Sequence, residues 1–220
     1  GIGVAAAERF ITEGAKVFLV DLDEAAMAAA AERLGSNVCS YCVADVSSKA
    51  DTDRFIAQVV DQFGGVDILL ANAGIEGEVA PFLDCSEEMF DKVLNVNVKG
   101  VWLGTRAVFP IMQARGGGSI VITSSVAGIK GASMLAPYST SKHAVIGLMR
   151  SAALAGADDK IRVNTVNPSP VETRMMRSLE AGLSPDDTDA AHDMMRANIP
   201  LGRYAEPSDI ANIMLFLASD

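Results

Sequence analysis

The sequence predicts an α/β protein in three layers, a doubly wound parallel sheet with helices on both faces. Two observations predict it. Short apolar, β-rich runs alternate along the chain with longer stretches of helical periodicity. Runs such as VFLV and ILLA are apolar without interruption, as strands buried on both faces must be. The 220 residues fit one domain, 1–220, and half of them are hydrophobic, enough to build a single core.

The elements follow in order. A helix near 3–13 leads to a strand at 16–21 (KVFLVD), a helix at 23–34, a strand at 38–45 (VCSYCVAD) and a helix at 48–63. A strand at 66–72 (VDILLAN) precedes a long helix at 87–114, which ends in the Gly-rich tip Gly116-Gly117-Gly118, a helix-to-strand turn. Then come a strand at 119–125 (SIVITSS), a helix at 138–156 and a strand at 161–167 (IRVNTVN). The segment 170–206 has no strand signal, is rich in Met and Asp, and is expected to form an irregular flap over the strand ends.

Composition narrows the possible functions. The net charge is −10 with no basic run, which disfavours nucleic acid and anionic membranes as partners. No apolar stretch reaches the roughly 18 residues that span a bilayer. No signal peptide is visible, and a soluble, cytoplasmic protein is expected. Cys39, Cys42 and Cys85 are too few and too scattered for a disulfide framework. Cys39 and Cys42 share a strand and point to opposite faces, so no metal site is expected.

Tyr138-Ser139-Thr140-Ser141-Lys142, thirteen residues after Ser125, suggests redox chemistry coupled to proton transfer. On a helix Tyr138 and Lys142 are an i,i+4 pair on one face. A cation that close is expected to favour the phenolate and lower the Tyr138 pKa, which suits a general acid or base. The same spacing also occurs as a plain surface pair.

In open α/β sheets ligands bind beyond the carboxyl ends of the strands. Asp21 ends a strand eighteen residues after Gly3, where a carboxylate can hold both hydroxyls of an adenosine ribose or simply cap the next helix. Leu22-Asp23-Glu24 adds negative charge that repels a 2′-phosphate, favouring NAD over NADP. Gly1-Ile2-Gly3 opens a helix and offers bare backbone N–H groups to a pyrophosphate.

Together these residues resemble the short-chain dehydrogenase/reductase family, over essentially the whole chain, and the resemblance implies a Rossmann-type fold. Gly1-Ile2-Gly3 resembles the end of the TGxxxGIG cofactor loop, Asp45-Val46 the pair beside the adenine, and Asn72-Ala73-Gly74 the NAG turn. Asn97 resembles the active-site Asn; Ser125, Tyr138 and Lys142 resemble the catalytic Ser and YxxxK; Pro168, Val171 and Thr173 match the NPGxVxT stretch at the nicotinamide. The resemblance implies that Tyr138 exchanges a proton with the substrate oxygen, Lys142 stabilises the phenolate and holds the ribose, and Ser125 orients the substrate. Asn97 would interrupt a helix and hold a water that links Lys142 to solvent. It also implies a homotetramer or homodimer.

Two departures stand out. Ser169 replaces the family Gly, which predicts either a strained positive φ there or a different loop path. The family's first strand, central in the order 3-2-1-4-5-6-7, and the start of its glycine loop are expected before Gly1, and a seventh strand beyond Asp220. Strands 16–21 and 38–45 would then lack a partner joining them to the rest.

The expected reaction is hydride transfer between NAD(H) and a secondary alcohol or ketone. Ile75 and Glu76, Val126 and Ala127, Met134 and Leu135, and Met175, Met176, Met194 and Met195 of the flap are candidates for a mostly apolar pocket, the Met residues equally for ordinary packing. The alternatives are an NADPH-dependent 3-oxoacyl-[acyl-carrier-protein] reductase and a non-catalytic nucleotide-binding relative.

Overall fold

The computed structural model describes residues 1–219. Helices and parallel strands alternate: α1 (Ile2–Thr12), β1 (Val17–Asp21), α2 (Glu24–Leu34), β2 (Cys39–Val43), α3 (Lys49–Phe63) and β3 (Ile68–Ala71). Then follow α4 (Glu87–Leu94), α5 (Val101–Arg115), β4 (Gly118–Thr123), α6 (Ala136–Gly156) and β5 (Ile161–Val166). Three further helices close the described chain: α7 (Arg174–Leu183), α8 (Thr188–Ala197) and α9 (Pro207–Ala218).

Caps set many of these boundaries. Asp23 accepts from the Ala26 amide at the start of α2, and Ser48 and Ser86 do the same for α3 and α4. Gly116, at φ 85°, ends α5 in the left-handed conformation that the Gly-rich tip predicts.

All strand pairs are parallel, but they form two groups. β1 pairs with β2, in register from Val17 opposite Cys39 to Asp21 opposite Val43. Separately, β3, β4 and β5 pair in that order. Among the described residues no ladder joins β1 to β3.

β4 shows how one strand serves two layers. Ile120 and Ile122 face a cluster with Val101, Val108 and Met112 of α5 and Val145 of α6, while Val121 faces Ala6 and Phe10 of α1 and Met214 of α9. All three β4 side chains have no exposed surface. Each such side chain contributes about 1.5–3 kcal/mol by leaving water. Cys39 and Cys42 are likewise both buried and free, as opposite sides of a covered strand should be.

The structure departs from the sequence expectations in two places. The helix that periodicity predicts at 87–114 is divided by a π-helical turn, Asn95–Gly100, at Asn97, where the family resemblance implies an interruption. The 170–206 segment is largely helical rather than irregular. Thr173 and Asp187 cap α7 and α8 through the amides of Met176 and Ala190, and those caps turn the Met- and Asp-rich stretch into two short amphipathic helices.

Ser169 resolves its own alternative: Lys160 is the one non-glycine residue with positive φ among the described residues, so the loop takes another path without strain at Ser169. No helix among them is long and apolar enough to cross a membrane.

Candidate active site

The carboxyl ends of β3, β4 and β5 converge on the first turns of α6. Pro137 stands in the first turn of that helix, where a missing N–H costs nothing, and Tyr138 follows it. One turn on, Lys142 is buried, its Nζ 5.4 Å from the Tyr138 ring centre and donating to the Thr123 carbonyl at 2.8 Å. Burial lowers the Lys142 pKa to about 8, so the ammonium remains protonated at neutral pH.

Tyr138 does not follow the expectation of a lowered pKa. Burial raises it most, a hydrogen bond from Ser125 lowers it, and the charge of Glu76 raises it further, leaving the phenol above its ordinary value. The physical reason is that desolvation penalises the phenolate, while the Lys142 ammonium is spent on a carbonyl.

Ser125 and Ser124 divide their duties. Ser125 meets Tyr138 and also accepts from the Ala127 amide, opening a short 3₁₀ turn at Val126–Gly128. Ser124 is buried and donates to the Lys142 carbonyl at 2.9 Å. Gly128 makes that approach possible. A Cβ there would collide with the Ser124 hydroxyl and lie 2.7 Å from the Lys142 carbonyl oxygen.

Asn97, in the π-helical turn, is 1% exposed and fully engaged. Its Oδ1 accepts from the Ile75 amide at 2.8 Å, and its Nδ2 donates to the Ile75 carbonyl at 2.9 Å and the Ser141 hydroxyl at 3.0 Å. Ser141 in turn donates to the Tyr138 carbonyl at 2.7 Å. One amide therefore ties the segment after Gly74 to the helix that carries Tyr138. Gly74 lies against the same group: a Cβ there would be 3.1 Å from Asn97 Oδ1 and 3.5 Å from Lys142 Nζ.

The other predicted positions line the same strand ends. Asn72 accepts from the Thr123 hydroxyl at 3.1 Å, and its Nδ2 is 3.2 Å from where a Cβ on Gly3 would stand. Ala73 between them is exposed. α1 begins at Ile2 with Gly1 as its N-cap and no side chain on its first amides. Asp21 holds the amides of Leu22 and Asp23 through Oδ1, at 2.7 and 3.2 Å. Since Asp23 caps α2, Asp21 is not the helix cap. Asp45 accepts from the Ser47 amide and hydroxyl, and Val46 packs on Gly100, where a Cβ would come within 2.9 Å of it.

The stretch after β5 agrees less well. The Pro168 carbonyl accepts from Val126 at 2.9 Å, which keeps it at the site. The Val171 side chain is instead buried in the core beside α1 and α9, and the Thr173 hydroxyl caps α7 at 3.3 Å. Val171 can therefore offer only its backbone to a ligand.

Sequence reasoning assigned no role to Ser124, Ser139 or Ser141. All three are buried and bonded to backbone, Ser139 to the Ala127 and Lys130 carbonyls. A signal was available, since a serine on each side of Thr140, one turn into an apolar helix, invites the question of what it bonds. His192 of α8 pairs with Glu180 of α7 at 2.9 Å.

The family model described as enoyl-(acyl carrier protein) reductase matches residues 1–220. Levodione reductase from Leifsonia aquatica is 37% identical over 225 residues, an alignment that covers all of this chain and 84% of that protein. A crystal structure of levodione reductase superposes with a TM-score of 0.96 at 35% identity, covering 100% of this chain and 87% of that one. NAD+-bound xylitol dehydrogenase superposes at 0.94 with 32% identity, covering 100% and 88%. The 3-ketoacyl-(acyl-carrier-protein) reductase from Brucella melitensis, complexed with NADH, does so at 0.92 with 32% identity, covering 100% and 86%. With its strand-end site and this match along its full length, the chain belongs to the short-chain dehydrogenase/reductase family of oxidoreductases.

Proposed function

We propose that this protein interconverts a secondary alcohol and its ketone with NAD(H), using Tyr138 as general acid and base. The observation that carries the proposal is the convergence of Ser125, Tyr138, Lys142 and Asn97 on one buried corner at the strand ends. When bound, the nicotinamide supplies the hydride acceptor or donor.

The residues present fit such a cofactor. Gly3 and Gly74 leave free the space that a Cβ would fill beside Asn72 and Lys142. The uncapped first turn of α1 presents amides to a pyrophosphate. Asp21 and Asp45 stand at the ends of the neighbouring strands for the adenosine, with Ile2, Leu22 and Val46 as apolar neighbours. Asp21-Leu22-Asp23-Glu24 repels a 2′-phosphate, which favours NAD over NADP.

In alcohol oxidation Tyr138 takes the hydroxyl proton while Ser125 holds the oxygen in line by a hydrogen bond. Lys142, whose Nζ donates to the Thr123 carbonyl and lies 5.4 Å from the Tyr138 ring centre, would hold the ribose hydroxyls of the cofactor. Asn97 keeps the loop after Gly74 fixed against α6. The half-exposed Trp102 and the Phe216 side chain, 76% exposed, support a homo-oligomer.

A second reading, NADPH-dependent 3-oxoacyl-[acyl-carrier-protein] reduction, has the likeness to the 3-ketoacyl-(acyl-carrier-protein) reductase from Brucella melitensis in its favour and the acidic 21–24 turn against it. The deciding experiment is a screen of alcohols and ketones with NAD and NADP in parallel, following the absorbance of the reduced nicotinamide, with Tyr138→Phe as control. Turnover with NAD that disappears in Tyr138→Phe supports the proposal. Wild-type turnover in Tyr138→Phe overturns the mechanism, and a clear NADP preference overturns the role of Asp21.

A further inference from the structure

Residues 172–204 leave the body of the protein and return to it at one point. Val171 bridges Ala205; the Glu172 amide donates to the Ala205 carbonyl and the Ala205 amide to the Pro170 carbonyl, each at 2.9 Å. Between these stitches lie α7 and α8.

At the centre of the excursion is a carboxylate with no exposure to water, Glu180. Oε1 is 2.9 Å from His192 Nδ1 on α8, and Oε2 accepts from Arg177 Nη1 at 2.9 Å. Arg177 Nη2 reaches on to Glu172 at the base of the excursion, at 3.0 Å. The His192 ring packs on Tyr204, with centroids 4.3 Å apart, and the Tyr204 hydroxyl stands beside Glu180. Burial pulls the Glu180 pKa upward, but the hydrogen bonds with His192 and Arg177 and the Arg177 charge outweigh it and hold the group below its ordinary range. The charge therefore survives where, without those partners, it would be expelled.

The adjoining face of α7 is apolar and packs on segments next to the site. Met176 and Leu179 are buried together with Tyr204, and Val79 and Leu135 pack against them. Val79 follows the segment that Asn97 clamps, and Leu135 is three residues before Tyr138. Contact is tight, since a Cβ on Gly182 would come within 2.7 Å of the Val79 side chain. A shift of α7 relative to α8 thus moves a wall beside Tyr138.

We propose that Glu180 is a positioning residue. By locking α7 to α8 and to the base of the excursion, it holds Met176 and Leu179 at the height that forms the substrate wall, and so sets affinity for the alcohol or ketone without entering the chemical step. This rests on the catalytic reading of Tyr138.

The test uses Glu180→Gln, which keeps the shape and removes the charge, and Arg177→Met, which removes the half-exposed partner of Glu180 Oε2. Both are compared with wild type for KM and kcat on the substrate found in the screen, for cofactor affinity, and for amide hydrogen exchange across 174–197. The expected result is a rise in substrate KM of about tenfold, since small misplacements far from the reacting atoms are enough for that. kcat at saturation and cofactor affinity stay within about twofold, and exchange in α7 and α8 is faster. Unchanged KM in both variants overturns the proposal even if stability falls, and so does a loss confined to kcat. If wild type shows no turnover dependent on Tyr138, the catalytic reading fails separately, and hydrogen exchange still decides the brace: equal exchange in Glu180→Gln and wild type overturns it.

Discussion

The corner around Tyr138 and the corner around Asp21 belong to one site but are built in opposite ways. Around Tyr138 three buried polar groups are bonded across the fold: Asn97 to Ile75 and Ser141, Ser124 to the Lys142 backbone, Lys142 to Thr123. Around Asp21 the carboxylate is exposed and held only by the next two amides, while Asp45 is tied to Ser47 within one turn. Long-range bonding makes a position hard to alter without moving other elements. Local bonding makes it replaceable. The chemistry is thus anchored in the core, and cofactor choice lies in a turn that can change alone.

The largest effect that should break this contrast is Lys142→Met. It should lower turnover by about 10²–10⁴-fold, the usual contribution of assisted proton transfer, yet it should raise stability at pH 7. Burial depresses the lysine from 10.5 to about 8, so the folded state binds its proton more weakly than the unfolded state, and every tenfold loss of proton affinity corresponds to about 1.4 kcal/mol. Wild-type stability from this group is therefore lowest below pH 8 and recovers as pH rises from about 8 to 10.5. Thermal unfolding of both proteins across that range should show the gap between them closing.

Next in size is Asp21→Arg. It should move the ratio of kcat/KM for NAD over NADP by at least about tenfold toward NADP, the equivalent of one favourable charge contact, with little change in Tm. A comparable loss of stability would show that the turn is not independent after all.

Glu76→Gln probes the catalytic corner more gently. Removing its negative charge should lower the Tyr138 pKa, so the pH profile of alcohol oxidation, which needs the phenolate, should shift toward lower pH. A shift toward higher pH would mean that Glu76 does not act on Tyr138 through its charge.

The smallest effect is expected from Ser48→Ala, which removes the cap of α3 beside the Asp45 turn. It should lower stability by about 1 kcal/mol and leave kcat unchanged, as read by chemical denaturation and steady-state assay.

Much of this architecture was legible in the sequence, and its lapses have physical causes. β3 and β4 were visible because ILLA and SIVIT are apolar on both faces, a pattern that only a doubly covered strand requires. Tyr138 and Lys142 were visible because helix geometry fixes an i,i+4 pair. The interruption at Asn97 was legible only through the family resemblance and not from helical periodicity, since the π-helical turn lies where Asn97 bonds to Ile75, twenty-two residues away in sequence. The direction of the Tyr138 shift was missed because neighbouring charges can be read from spacing and burial cannot. α7 and α8 were masked by their Met and Asp content, although Thr173 and Asp187 were cap signals in plain view.

Gly128 carries a consequence for how this sequence can drift. Because a side chain there would press on both Ser124 and the Lys142 backbone, the position is a spacer of fixed thickness between a strand end and a helix. Gly131, three residues on, has open space around it. In a library of random variants selected for turnover, substitutions should accumulate at Gly131 and be purged at Gly128. A residue that contributes no functional group would then leave as sharp a mark on the surviving sequences as the residues that move the proton.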